Sequence, residues 1–207
     1  MNKITYQEAI KIISETDVWP RKAMFVGLIT ENMLPCYEFF YESESWGNPE
    51  ILKEGVSLLY ESVFVHPDKL KEDALICQQR LELVSPDLDD FAETASYGLD
   101  SCVAVDEALY FLITQSSSYL ERVVNAVANT LDMFIQVKEN MDSNDQNLQE
   151  KIDNDPFMIN EINRQIALVL YIHENIGEQV TQSDFLNCKK VNSTFGAVID
   201  FSLLPYS

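Results

Sequence analysis

Apolar residues recur along this chain at steps of three and four, and the pattern is densest in one stretch. From Leu99 to Ile113 only Asp100, Ser101, Asp106 and Glu107 are polar. A helix that is apolar around most of its circumference belongs inside a bundle, so the pattern predicts a central buried helix over about 98–114. Asp106 and Glu107 are then confined to whatever narrow face reaches water or a partner. The run is too short and too acidic to cross a bilayer, which takes about 20 mainly apolar residues.

The flanking pattern predicts amphipathic helices around that rod. Thr5-x-x-Glu8 is a capping box for a first helix that ends near Asp17, and Pro20 suits the first turn of a second. Pro35 forces a break at Leu34, after which Cys36, Tyr37, Phe39 and Phe40 continue in helix. Asn48-Pro49 caps a third pattern through Val63. His66-Pro67 starts the next, where Leu70, Ala74, Cys77, Leu81 and Val84 form a one-sided stripe. Ser85-Pro86-Asp87 repeats the cap-then-proline signal and opens a short acidic element that leads to the central helix by way of Gly98. Ser118-x-x-Glu121 reads as the capping box of the longest helix, through Met141. Residues 142–155 are the one low-hydrophobicity segment and suggest an exposed connection or a loosely held polar helix. After Asp155-Pro156, Ile159, Ile162, Ile166, Val169, Leu170 and His173 align on one face until Gly177; a last short helix runs from Thr181 to about Val191. The sequence therefore reads as one all-α domain over 1–191, a bundle of about eight to nine helices, with a tail over 192–207 that packs as an extended arm or remains flexible. No alternating strand pattern stands outside that tail, and no repeat of about 20 to 50 residues is visible.

Charge narrows the partners. Thirty-four acids against fourteen bases give a net charge of −20, a field that repels nucleic-acid phosphates and anionic membranes and attracts a basic protein. Cys36, Cys77, Cys102 and Cys188 are scattered singly within apolar patterns and read as reduced core residues. MNKITYQEAI lacks the apolar core of a signal peptide, and the expected compartment is cytoplasmic.

Catalytic constellations are missing from the pattern. Nucleophilic catalysis through Ser or Cys needs a base, usually His, and only His66 and His173 occur. His66, beside Pro67, reads as a capping or surface histidine, and His173 as a core-edge histidine bonded to a carbonyl. A di-iron bundle would need glutamates three residues before two histidines; Val63 and Leu170 stand there instead. Asp87, Asp89 and Asp90 lie close together but lack the glycine and terminal glutamate of a calcium loop. Neither glycine-rich phosphate cradle occurs. No cofactor or metal is expected. Glu31, Asp106 and Glu107 are candidates for acid/base work if buried, but in a bundle such acids more often bond helix ends and tyrosines.

The run RKAMFVGLITENMLPCYEFFYES, with Phe25, Glu31, Met33, Pro35, Tyr37 and Phe40, followed by Gly47 and Tyr60-Glu61, resembles the first half of the bacterial YjaG-like proteins, a family labelled as a domain of unknown function. Pro86, Asp89-Asp90-Phe91 and Leu99-Asp100-x-Cys102-x-Ala104 extend the likeness over most of residues 19–141. The chain departs from it at Tyr60, where Trp is usual, at Cys36, where Asn is usual, and at Gly98, where Pro is common. The resemblance implies a small, acidic, all-helical cytoplasmic protein and carries no catalytic residues across.

Two functions are consistent with this reading. In the first, the chain is a non-enzymatic protein-binding module, in concrete form an immunity-type inhibitor of a basic toxin such as a nuclease. Its candidate contact acids are Asp87, Asp89, Asp90 and Glu93 in one segment and Asp142, Asp145, Asp153 and Asp155 in another. In the second, it is a small-molecule-binding or weakly catalytic bundle with a pocket lined by Tyr37, Tyr60, Tyr97 and Tyr110 together with Glu31 or Asp106. Homodimerisation through an apolar helical face is a third possibility.

Overall fold

Where the chain turns from helix to helix is set by short polar caps and prolines, and most of them act where the pattern places them. A computed structural model describes residues 4–89, 91 and 94–205. Thr5 and Glu8 form the capping box of α1 (Tyr6–Glu15). Pro20 sits in the first turn of α2 (Trp19–Glu31), and the break before Pro35 separates it from α3 (Leu34–Glu44). Asn48 caps α4 (Pro49–Glu61), its side chain accepting from the Glu50 amide. His66 caps a single 3-10 turn, its Nδ1 accepting from the Asp68 amide, and α5 (Lys71–Glu82) follows. Then come α6 (Ala95–Thr114), α7 (Ser117–Lys138), the short α8 (Leu148–Asp153), α9 (Pro156–Asn175) and α10 (Gln182–Ser193). Nine of these ten helices have at least ten residues, and the described residues contain no strand.

The apolar rod is the hub. Helix α6 packs against α2, α3, α4, α5 and α7. Ala104, Val105, Ala108, Leu109, Phe111 and Leu112 are fully buried along it, each large apolar side chain contributing about 1.5–3 kcal/mol. Trp19 stacks on Phe111 with centroids 4.8 Å apart. A second layer forms around α9, which packs on α1, α2, α7, α8 and α10.

Several details differ from the sequence expectation. Helix α6 starts at Ala95 rather than near Gly98, because Gly98 is not a loop residue but a point of close approach: a Cβ there would lie 2.7 Å from the Phe40 ring of α3. The cap of α7 is Ser116, accepting from the Ser118 amide, so the Ser118-x-x-Glu121 box does not form. Residues 85–89 are turn, with Asp87 accepting from the Asp89 amide, and no helix begins there. The face of α9 is rotated from the expected stripe. Its buried side carries Met158, Glu161, Arg164, Gln165, Leu168, Val169 and Ile172, while Ile159 and Leu170 are 44% and 36% exposed. His173 is exposed, its Nδ1 3.5 Å from Arg21 Nη1, and is no core-edge residue.

The polar segment 142–155 is largely exposed, as expected, and is anchored only at Ile152 and Asp155, whereas the tail is docked. Asp155 is buried, caps α9 through the Phe157 amide and pairs with Lys138 Nζ at 2.9 Å. Asp155→Ala removes the cap and leaves Lys138, only 13% exposed, without that partner. A loss of about 2 kcal/mol is expected, read as a fall of about 4–8 °C in a thermal melt. Beyond α10 the chain turns at Gly196 (φ +72°), buries Val198, Ile199 and Leu204, and stacks Phe201 on Phe39 at 4.2 Å. The tail therefore packs on its own domain.

Candidate functional site

Helices α5 and α6 leave a groove of about 420 Å³ between them. The inner stripe of α5, Ala74, Cys77 and Leu81, goes to the core as the pattern requires, but the helix also carries Leu75, Ile76 and, at its end, Leu83, which are 48%, 47% and 77% exposed. Across the groove, α6 presents Val103 and Tyr110, 41% and 40% exposed, from the same face as Asp106 and Glu107. This is the narrow face that the two acids were expected to occupy. Asp106 Oδ1 accepts from Gln78 Nε2 at 2.8 Å. Burial pushes its carboxyl above the usual carboxylate range against the pull of that hydrogen bond, and Glu107 and Glu82 push it further. Arg122 Nη1 pairs with Glu107 Oε1 at 3.4 Å, and the same guanidinium lies over the Tyr119 ring that Tyr110 stacks on. Apolar edges around a carboxylate-rich floor suit a side chain that is apolar along its stem and cationic at its tip.

The other expected pocket residues divide. Glu31 and Tyr60 come together: Tyr60 OH donates to Glu31 Oε2 at 2.7 Å, and Lys189 Nζ donates to Oε1 at 2.8 Å. Burial and the adjoining carboxylate hold the Tyr60 hydroxyl well above its ordinary pKa, so it stays a donor. Tyr37 is buried elsewhere and donates to the Val84 carbonyl at 2.7 Å, while Tyr97 is buried near Phe39 and Phe201. Tyr37, Tyr60, Tyr97 and Tyr110 do not share one pocket.

The expected contact acids are likewise separated by their local bonds. Asp87 and Asp89 are exposed in their turn; Asp90 and Glu93 lie outside the described residues. Asp142 accepts from the Asn144 amide, Asp145 pairs with Lys151, and exposed Asp153 accepts from Gln149. Asp155 is buried against Lys138 and is not available to a partner. Sequence reasoning missed the α5 half of the groove. Its signal was present in Leu75, an apolar residue off the main stripe, with Gln78, Gln79 and Glu82 following on the same helix.

Among the described residues no three His, Cys, Asp or Glu side chains are grouped to hold a metal ion, and no helix is long and apolar enough to cross a membrane. Residues 10–194 match the family described as "Protein of unknown function (DUF416)". The chain belongs to this family. A curated relative, "Uncharacterized protein YjaG" of Escherichia coli (strain K12), is 23% identical over 128 residues, 61% of this chain and 64% of that protein. The chain thus spans less than two thirds of that relative's length. A crystal structure of a DUF416 family protein from Shewanella baltica OS155 has the same fold, with a TM-score of 0.76, 24% identity, and coverage of 89% of this chain and 93% of that one. The positions that carry the YjaG-like resemblance are largely interior: Phe25, Met33, Tyr37, Phe40, Cys102 and Ala104 are buried. DUF416 membership therefore accounts for the packing and leaves the activity to be argued from the surface sites.

Proposed function

We propose that this protein is a non-enzymatic binding module that receives a basic, amphipathic segment of a partner protein in the α5–α6 groove. The observation that carries the reading is the juxtaposition of exposed Leu75, Val103 and Tyr110 with Glu82, Asp106 and Glu107 in one groove. Apolar anchors supply affinity and the carboxylates supply charge complementarity and a fast encounter in the field of a −20 protein. In its most specific form the partner is a basic toxin such as a nuclease, and the module is its immunity-type inhibitor, covering a cationic surface that otherwise meets phosphate.

A synthetic Lys/Leu amphipathic peptide titrated into the protein tests the reading. Wild type should bind it, and Glu82→Lys/Asp106→Asn should weaken binding by about tenfold or more, a difference of about 1.4 kcal/mol. Asp142→Asn/Asp153→Lys, which removes two acids elsewhere and makes the same change of three in net charge, should change it by less than about threefold. Equal losses from both pairs would mean that only net charge is felt, and the groove reading fails.

The same titration has a pH signature. Because its pKa is raised, Asp106 takes up a proton at higher pH than an ordinary carboxylate, and the protonated form loses its charge attraction for a cation. Affinity should therefore begin to fall at higher pH than an ordinary carboxylate would dictate as the solution is acidified from neutrality, and the fall should be smaller in Asp106→Asn. The facing groups are Gln78 and Glu82 from α5 and Glu107 from α6. An unchanged slope in the variant would remove Asp106 from the contact.

A further inference from the structure

Glu31 and Lys189 also line a second concavity, of about 340 Å³, between the α2–α3 break, the end of α10 and the docked segment 196–201. That volume lies at the lower end of the roughly 300–1,000 Å³ typical of small-molecule sites. One side is polar and carries opposite charges. The Glu31 carboxylate and the Lys189 ammonium are 2.8 Å apart and their side chains are 33% and 35% exposed, so both retain hydrogen-bonding capacity toward the cavity. Their positions are fixed from behind: Tyr60 OH bonds Glu31 Oε2, and the ammonium lies 4.7 Å and 5.4 Å over the Tyr60 and Phe185 rings. Beside them Asn32 and Asn192 exchange amide hydrogen bonds of 3.2 and 2.9 Å, which leaves each amide one N–H and one lone pair unspent on the other. The lining also includes apolar Pro35, Val198 and Phe201.

We infer that this cavity binds a small zwitterion of the α-amino-acid class with an apolar side chain. The ligand ammonium meets Glu31, its carboxylate meets Lys189, and its side chain lies against Val198 and Phe201. Formal charges select the class. Glu31 and Lys189 cancel, so the site orients a molecule of zero net charge, whereas the surrounding −20 field opposes a simple anion and draws a simple amine to the whole surface. Charge-assisted hydrogen bonds to both ends of the ligand make the pairing specific. Because Val198, Ile199 and Phe201 belong to the tail, occupancy also orders that segment. The α5–α6 groove is lined by different residues, so this inference and the proposed function stand or fall separately.

Isothermal titration of the full chain with L-leucine and L-phenylalanine, against isoamylamine and 4-methylpentanoate as single-charge controls, tests it. At least one amino acid should bind, with each control about tenfold or more weaker. Glu31→Gln and Lys189→Met should each weaken amino-acid binding by about tenfold or more, and Lys189→Arg should restore most of it. Circular dichroism melts show whether the variants stay folded, and amide exchange at residues 197–201 of the wild type should slow on saturation. Failure of both amino acids to bind, binding of the amine as tightly as the amino acid, or full binding by folded Lys189→Met would overturn the inference.

Discussion

Replacing Arg164 with alanine is expected to cost about 3–5 kcal/mol. Arg164 and Glu161 lie on the inward face of α9 with side chains 1% and 4% exposed, Nη1 and Oε2 facing each other at 3.4 Å. Arg164 Nη2 donates to the Gly196 carbonyl at 2.5 Å, so the same guanidinium ties the tail to α9. Gln165 Nε2 donates to Glu161 Oε1 at 2.9 Å, and Tyr6 OH donates to Gln165 Oε1 at 2.9 Å, which brings α1 into the network. Removing the arginine leaves Glu161 charged and buried, and that uncompensated charge outweighs the lost packing. The paired replacement Glu161→Leu/Arg164→Met should recover most of the loss, because it removes both charges at similar volume.

The pH dependence separates charge from packing. Burial already pushes the Glu161 carboxyl upward while Arg164 and Gln165 pull it down. Without the arginine the folded-state pKa rises further above the unfolded value. A raised pKa gives a contribution that is fully present below the unfolded pKa and lost as pH rises through the folded one. Arg164→Ala should therefore regain stability more steeply than wild type as the solution is acidified from neutrality toward the ordinary carboxylate range. A parallel shift of both curves would mean that lost packing, not a stranded charge, explains the defect.

Gly98→Val should destabilise by about 2–3 kcal/mol. A Cβ at this position lies 2.7 Å from Cγ and Cδ1 of Phe40 and 3.1 Å from its Cβ. The ring has nowhere to retreat, since Tyr37, Trp46 and Phe91 pack edge-on at centroid distances of 5.7, 6.0 and 5.4 Å. Helix propensity favours almost any residue over glycine by up to about 1 kcal/mol, so the overlap must win by more than that for the sign to hold. Gly177→Ala is the control: a Cβ there meets nothing within 4 Å, and its melting temperature should move by less than about 2 °C. If Gly98→Val melts with the control, α3 and α6 are not in contact at this point.

Both sites show what could be read from the sequence alone. The central helix, the caps at Thr5, Asn48 and Asp155, and the break at Pro35 follow from periodicity and local hydrogen bonding, which are properties of consecutive residues. The buried face of α9 was not legible because Glu161, Arg164 and Gln165 are residues that ordinarily face water. Their burial is tolerated only through Tyr6 and Gly196, far away in sequence. A trace of it exists in the spacing Met158, Glu161, Gln165, Leu168 and Ile172, which steps by three and four, but the isoleucines on the neighbouring face gave a stronger apolar pattern. Gly98 misled for a similar reason: a glycine without its spatial neighbour, Phe40, reads as a turn.

The candidate sites were half legible. Glu31, Asp106 and Glu107 stand out by type and position and each borders a concavity, whereas Tyr60 bonds Glu31 without lining either one. The partners of these acids do not stand out: Lys189 is separated from Glu31 by most of the chain, and the α5 wall of the groove depends on how α5 is rotated against α6. Acids in runs, such as Asp142 to Asp155, looked like a surface for a partner because sequence cannot show that Lys138 and Lys151 already hold two of them.

Amide hydrogen exchange on the protein saturated with the Lys/Leu peptide is the most direct measurement of the central claim, that the groove between α5 and α6 is the docking surface. Protection should concentrate in residues 71–82 and 99–110, with little change in 142–155. Protection spread over the acidic loops, or absent from both groove helices, would contradict it.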